Sequence, residues 1–389
     1  MRVADRIKSI PPYVLAQIDR IKEELIRQGK DLIDLGIGDP DLPTPANVVQ
    51  RMCEAVKDPA THRYPPYEGD RVFREAMAAR YAKRFNVHLD PDTEVMTLIG
   101  SKEGIAHIIW AFVGPGDVAL VPSPAYPVYY TQALLAGGEP YLMPLTEDNG
   151  FLPDLDSIPP HILERAKIMF INYPNNPTAA TADLDFFSKV VDFARQHHIA
   201  VVHDAAYIEM TYDGYVAPSI LQVPGAKDVA VEFYSLSKPF NMTGWRIAAA
   251  VGSSEVLYKA LGIVKTNTDS GQFRAIQWAG ATALLDCPDD FIASMNSIYR
   301  KRRDLLVEGL RSLGFQVAKP KGTFYLWVKA PEGLDSAGFA KVLLEQAQIV
   351  VVPGFAYGTY GEGFVRMALT VDETRLQEAI SRMKGIKLG

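Results

Sequence analysis

The chain has only two cysteines, Cys53 and Cys287, among its 389 residues. Two thiols so widely spaced give neither a disulfide framework nor a zinc-type ligand pattern, so a reducing compartment and no metal are expected. No apolar run is long enough for a membrane span. The N-terminal stretch lacks the apolar segment of a signal peptide, which points to a cytoplasmic, soluble protein. Positive charge is not in excess: 40 Lys and Arg stand against 46 Asp and Glu, a net charge of −6. That balance argues against a nucleic acid or an anionic membrane as the main partner. Internal repeats and low-complexity linkers are also missing, which argues against solenoids and flexible multidomain arrays. What is left, 48% hydrophobic and 22% charged residues, is ordinary for a globular protein. Its length exceeds what one core supports, so a large and a smaller domain are expected.

The stretch Ser235-Leu-Ser237-Lys238-Pro-Phe-Asn-Met-Thr-Gly244-Trp-Arg246 lies between two apolar runs, residues 229–234 and 247–251. Both runs read as buried strands. A lysine beside a core loses hydration, its pKa falls, and its amine becomes a nucleophile that forms Schiff bases with carbonyls. Ser235, Ser237 and Arg246 offer hydroxyls and a charged fork suited to a phosphate. The competing reading is a polar surface loop.

Along the chain, residues 11–28 read as a helix, with Pro11 and Pro12 at its start and Gly29 at its stop. Gly36-Ile-Gly38-Asp-Pro40 is half of a dinucleotide fingerprint but no helix opens after it, so it reads as an extended lip that backbone can bring close to a ligand. Helices are expected over residues 46–57 and 70–85, flanking a rigid aromatic loop, His62-Arg-Tyr64-Pro-Pro-Tyr67. A strand over 95–99 turns through Gly100-Ser101-Lys102 into a helix reaching Val113. This is either an anion site at a helix N-terminus or a plain capped helix. Apolar strands near 118–121, 167–172 and 199–203 then alternate with helical stretches, one of them over 183–197. That alternation predicts an α/β fold with a mainly parallel sheet wrapped by helices. Polar clusters containing Asn176, Asp204 and Tyr207 stand at carboxyl ends of these strands, where open α/β sheets bind ligands. Residues 284–311 read as one long helix crossing to a smaller α+β domain. The expected elements there are a strand at 322–328, a helix at 336–347, strands at 349–353 and 364–369, and a last helix at 372–384. Arg366 falls inside an apolar strand, where a charge needs an anionic partner, an acidic residue or a ligand.

The motifs Asn176-Pro-Thr, Asp204-Ala-Ala-Tyr207, Ser235-Leu-Ser-Lys238, Gly244-Trp-Arg246 and the late Arg366 resemble those of class I/II aminotransferases of fold type I, over essentially the whole chain. Within that family the chain resembles the LL-diaminopimelate aminotransferase branch. Gly100-Ser-Lys-Glu-Gly-Ile-Ala-His107 and Tyr173-Pro-Asn-Asn-Pro-Thr-Ala-Ala180 carry that likeness. Ala179 departs from the wider family, where glycine usually follows the Asn-Pro-Thr, but fits this branch. The resemblance implies a large domain (46–284) with a seven-stranded, mainly parallel sheet between helices, a small C-terminal domain (285–389), and an N-terminal segment (1–45) joined to the latter. It implies pyridoxal 5'-phosphate bound to Lys238, with Asp204 facing the pyridine nitrogen and Asn176 and Tyr207 at the ring oxygen. Tyr126 would stack on the ring; Ser101, Lys102, Ser235, Ser237 and Arg246 would hold the phosphate. Tyr64 would reach that phosphate from the partner of a homodimer with shared sites, and Asn267 would face the cofactor pocket. Arg366, Gly38 and Tyr13 would bind substrate, together with Lys102, Tyr126 and Asn176.

The expected activity is ping-pong amino transfer between LL-diaminopimelate and 2-oxoglutarate, in lysine biosynthesis. Two alternatives stand beside it: another aminotransferase acting on aspartate, alanine or an aromatic amino acid, and a non-catalytic cofactor-binding regulatory domain. The second lacks a basic DNA-reading module in this sequence.

Overall fold

The computed structural model describes residues 2–12, 14–288 and 290–387. A seven-stranded sheet forms its centre. Its spatial order is Val95–Leu98, Ala248–Gly252, Ala230–Ser235, Ala200–Asp204, Ala166–Ile171, Val118–Ser123 and Glu139–Pro144. Neighbours are parallel except on either side of Ala248–Gly252. The strands Ala200–Asp204 and Ala230–Ser235 are buried at every position, as expected for parallel strands with both faces covered. Two apolar clusters cover those faces. Met169, Val201 and Ala249 belong to one, Phe170, Val202 and Ala250 to the other, so successive residues alternate between faces.

The helix Leu184–His197 shows how the covering layers are specified. Asp183 caps it by accepting the Phe186 amide at 2.9 Å, and it buries Phe187, Val190, Val191 and Ala194 along one stripe. The edge strand Glu139–Pro144 was not legible in advance. It is mostly half-exposed and bounded by prolines, which suit an edge but blur the apolar signal.

A smaller three-stranded antiparallel sheet, in the order Val352–Pro353, Phe364–Ala368, Tyr325–Lys329, follows in the C-terminal part. The N-terminal strand Ile33–Asp34 pairs in parallel with Ile349–Val350. Leu35 then accepts the Ala368 amide at 2.6 Å, which lays residues 35–38 beside Arg366.

Three expected elements need correction. The strand read as 349–353 is two, Ile349–Val350 and Val352–Pro353, which belong to different sheets. The helix read as 284–311 is two helices, Arg274–Leu285 and Phe291–Ser312, with Pro288 in the connection, where a helix interior cannot tolerate it. The strand read as 322–328 begins at Tyr325 because Thr323 has a left-handed φ of 64°, which no strand accommodates. Among the described residues no helix is long and apolar enough to cross a membrane.

Candidate active site

The carboxyl ends of the large sheet open into a cavity of about 540 Å³ shared with the small sheet. Ser235 pairs with Ala248 across two antiparallel strands, so the intervening residues form a closed excursion that holds Lys238 and Arg246 at the strand ends. Arg246 adopts a left-handed φ of 56°, a conformation that costs a non-glycine residue about 1–2 kcal/mol and persists only where the surroundings enforce it.

Lys238 donates to the carbonyl of Gly38 at 2.6 Å, which joins the excursion to the glycine lip. Burial pushes its pKa down to about 8, opposed by Asp39 and assisted by the positive charges of Arg366 and Arg246. An amine with that pKa still carries its proton on most molecules at neutral pH, but its neutral fraction is far larger than that of an ordinary lysine.

Asp204 ends its strand fully inside the site. Its Oδ2 accepts from the hydroxyl of Tyr129 at 2.7 Å, and its carbonyl accepts from Asn172 at 2.6 Å. Its Oδ1 is buried with no hydrogen-bond partner. Burial raises the Asp204 pKa, while the Tyr129 hydrogen bond and neighbouring His203 oppose the rise. Behind it, on the opposite face of the strand, the His203 ring contacts Glu232 through Nδ1 at 2.7 Å. Glu232 also accepts from Tyr81 at 2.6 Å. These two residues are register partners on adjacent strands, so the pair locks the strand that presents Asp204.

The loop before the helix Ser101–Phe112 packs on Arg246: a Cβ at Gly100 would lie 2.4 Å from its guanidinium. Gly100 has φ 74°, so only glycine gives both the turn and the approach. Ser101 Oγ is buried without a hydrogen-bond partner at that helix N-terminus, where backbone N–H groups favour an anion. Below the loop, Glu103 accepts the Ile99 amide at 3.0 Å and receives buried Lys265 at 3.2 Å. Lys265 also bonds both oxygens of Asp269 at 3.0 Å. Glu103, His107 and Asp269 bring ligand atoms within 4.8 Å of one another, and the Lys265 ammonium already supplies positive charge there.

Arg366 is buried in its strand, donating to Asn176 Oδ1 at 3.0 Å and to the Gly36 carbonyl at 2.7 Å. Its guanidinium stacks 4.0 Å from the Tyr325 ring centroid. The Tyr325 hydroxyl is 2.9 Å from that of Tyr207 and would be 2.4 Å from a Cβ at Gly38, so Gly38 cannot be replaced without moving Tyr325 or the lip. Burial raises the Tyr207 pKa, which keeps this hydroxyl protonated. Ala179 has φ 58°, which explains why glycine suits that position; its amide donates to the Asn175 carbonyl at 2.9 Å.

Of the residues expected from sequence, Gly38, Ser101, Lys102, Tyr126, Asn176, Asp204, Tyr207, Ser235, Ser237, Lys238, Arg246 and Arg366 all line this one cavity. Tyr64 is 84% exposed and Asn267 is exposed, its amide donating to the Ile263 carbonyl at 2.8 Å; neither lines it. Tyr13 lies outside the described residues. Tyr129, Asn172 and Tyr325 were missed. Tyr129 and Tyr325 sit in apolar stretches where they read as core, and only the partners of their hydroxyls reveal a role.

A buried lysine of depressed pKa, a buried carboxylate with one unpartnered oxygen, an anion cradle and a buried arginine together define a site for Schiff-base chemistry on an anionic cofactor. The family model for aminotransferase class I and II matches residues 30–383, and the chain belongs to that family, whose members depend on pyridoxal phosphate. It is 54% identical to an LL-diaminopimelate aminotransferase of Syntrophobacter fumaroxidans over 381 residues, 98% of each chain. It is 54% identical to one of Moorella thermoacetica over 386 residues, 99% of this chain and 98% of that one. A substrate-bound structure of BacF from Bacillus subtilis superposes with a TM-score of 0.94 at 38% identity, covering 100% of this chain and 99% of that one. The chain is therefore a fold type I aminotransferase acting on small amino and oxo acids.

The residues present fit pyridoxal phosphate. The unpartnered Asp204 Oδ1 calls for a donor such as a pyridinium N–H. Ser101 Oγ and the Gly100–Arg246 contact form a cradle of phosphate character.

Proposed function

We propose that this enzyme transfers the amino group between LL-diaminopimelate and 2-oxoglutarate by a ping-pong route, in lysine biosynthesis. The observation that carries the substrate is its likeness, over nearly the full length, to two proteins named as LL-diaminopimelate aminotransferases. When bound, the cofactor supplies a conjugated electron sink for the pair left at the substrate Cα. Asp204 would hold a proton on the ring nitrogen, because a buried negative charge favours the protonated form. Ser101, Ser235, Ser237 and Arg246 would hold the phosphate, with Lys102 at the same end of the cavity. Arg366, steadied by Asn176 and stacked on Tyr325, binds the substrate α-carboxylate with its fork. Lys238, whose lowered pKa makes its neutral form accessible, would take the proton from the substrate Cα. Tyr126 would pack on the ring, and Tyr207 would donate to the ring oxygen.

The reading includes a homodimer with shared sites. Tyr64 and Asn267, the two cofactor residues outside this protomer's cavity, are linked on one part of the surface. The turn that follows Asn267 packs on the Tyr64 loop, since a Cβ at Gly271 would lie 2.8 Å from Pro65. Tyr64, Tyr67, Ile263 and Phe273 are all exposed there, a density of large apolar side chains that suits a self-complementary contact.

A donor panel with 2-oxoglutarate tests the substrate. LL-Diaminopimelate is expected to exceed aspartate, alanine and phenylalanine in kcat/KM by at least ~10²-fold, as happens when a site's polar groups go unpaired with the wrong substrate. Equal efficiency with aspartate or phenylalanine moves the assignment to another aminotransferase of the family.

A further inference from the structure

Lys265 is 1% exposed, yet it stands outside the cavity lined by Ser101 and Arg246. A lysine is almost never fully buried unless paired. It projects from the helix Gly262–Thr268. Its ammonium, with three donors to give, meets Glu103 Oε1 at 3.2 Å and both oxygens of Asp269 at 3.0 Å. His107 completes the group, its Nδ1 2.6 Å from Glu103 Oε1 and 3.7 Å from Asp269 Oδ2. Burial works to raise the Asp269 pKa. The charge and hydrogen bond of Lys265, with the Gly271 amide, outweigh it and hold that pKa below the ordinary value.

The group has two arms. Glu103 is the third residue of the helix Ser101–Phe112. Its Oε2 accepts the Ile99 amide at 3.0 Å, just after the strand Val95–Leu98 ends. Gly100 and Ser101 follow directly, so this bond fixes the turn that brings Gly100 against the Arg246 guanidinium. The other arm runs to the turn after Asn267. Asp269 Oδ1 accepts the Gly271 amide at 2.7 Å, and Gly271 abuts Pro65, next to Tyr64. One ammonium thus joins the phosphate cradle of this protomer to the stretch that the proposed homodimer lends to the partner's site.

Without the ammonium, Glu103 and Asp269 would be two like charges in one buried group, and they would separate or take up a proton. Either response shifts Glu103 against Ile99. We infer that Lys265 is a positioning residue: through Glu103 it holds the turn at residues 100–101 on Arg246, in the geometry that receives the cofactor phosphate. The inference rests on the cofactor assignment above and deepens it. Its effect falls on the phosphate end of the site alone. Asp204 is held by Tyr129 and Asn172, and Lys238 by the Gly38 carbonyl, none of which belongs to the Lys265 group.

The test uses the cofactor-free chain and two ligands, pyridoxal 5'-phosphate and pyridoxal, which lacks the phosphate. Binding of each is followed by the absorbance of the ligand, and the ratio of the two dissociation constants measures what the cradle adds. Two variants break the arm at different points: Glu103→Ala, in which Lys265 keeps Asp269, and Lys265→Met. In both, the preference for the phosphate ester is expected to fall about tenfold or more, the scale of one charge-assisted hydrogen bond lost at the phosphate. The pyridoxal constant should stay within a few-fold of wild type. Glu103→Gln keeps an oxygen for the Ile99 amide and is expected to recover most of the preference. If Lys265→Met lacks a melting transition, the double variant Lys265→Met, Asp269→Asn, which removes the stranded charge, takes its place. An unchanged preference, or a loss equal for the two ligands, overturns the positioning role. So does a preference lost in only one of the two variants, because the path from Lys265 through Glu103 is then broken. A wild type that binds pyridoxal as tightly as its phosphate ester overturns the cofactor assignment itself, whereas a selective wild type with equally selective variants overturns only the role of Lys265.

Discussion

The hydroxyl of Tyr129 donates to Oδ2 of Asp204 at 2.7 Å, and Oδ1 of that buried carboxylate has no hydrogen-bond partner. Burial pushes the Asp204 pKa up and this hydrogen bond pulls it back. The tyrosine is itself held by a stacked contact with Phe170, centroids 4.9 Å apart. Tyr129→Phe removes the donor and keeps the stack. Its loss raises the proton affinity of Asp204 further, so the ionised form needed at the ring nitrogen fails at higher pH than in wild type. The acid limb of the kcat profile is expected to move upward in Tyr129→Phe, with activity lost first on the acid side. Asp204→Asn, which removes the charge altogether, is expected to lose ~10²-fold or more, the scale of a positioned electrostatic group. An acid limb that does not move in Tyr129→Phe means that Tyr129 only packs.

Lys238 gives a pH prediction of definite sign. Its pKa falls to about 8 from the ordinary 10.5 because it is buried, with Asp39 opposing and Arg366 and Arg246 assisting. Only the neutral amine attacks a carbonyl. The rate at which cofactor-free protein captures pyridoxal phosphate should therefore rise with pH and level off above about 8. A capture rate still climbing toward 10.5 would show that the site does not depress this amine. The linkage runs the same way. Between those two pH values the unfolded chain holds the proton that the folded chain has released, so the fold loses a penalty as pH rises through the window. Lys238→Ala is expected to abolish turnover, and borohydride treatment of the wild type to leave cofactor attached at Lys238, read by peptide mass.

Most of this arrangement was legible because the chemistry lies in short local motifs at strand ends. Asp204 follows a run buried at every position, and Lys238 and Arg246 are enclosed between two more such runs. The helix after Ser101 announces itself by its glycine turn. What could not be read depends on partners distant in sequence. Tyr325 looks like one more core aromatic until its hydroxyl is seen 2.9 Å from Tyr207. Tyr129 is the same case, and Lys265 reads as a surface lysine until its burial is seen. The break between Leu285 and Phe291 shows the opposite error: an amphipathic period carried across Pro288, where backbone chemistry overrules the pattern.

Tyr64 is placed so that one protomer gives it no work. It is 84% exposed in a Pro-Pro loop that packs on Gly271 rather than on the cavity. An aromatic ring held out by a rigid loop carries little conformational-entropy cost on docking, which suits it to complete a neighbour's site. If it reaches the phosphate of the partner subunit in the proposed homodimer, a Tyr64→Ala protein has two damaged sites, as does a Lys238→Ala protein. Subunit exchange between them then places both lesions at one site and leaves the other site of each hybrid intact. Mixing the two variants under conditions of exchange is expected to restore activity toward about a quarter of the wild-type level, the fraction of intact sites when half the dimers are hybrids with one good site each. Covalent cross-linking of each variant before mixing should prevent that recovery. A mixture no more active than its parts, with exchange shown by mass-labelled subunits, would place Tyr64 outside the partner's site. A fully active monomer in sedimentation would remove the shared site altogether.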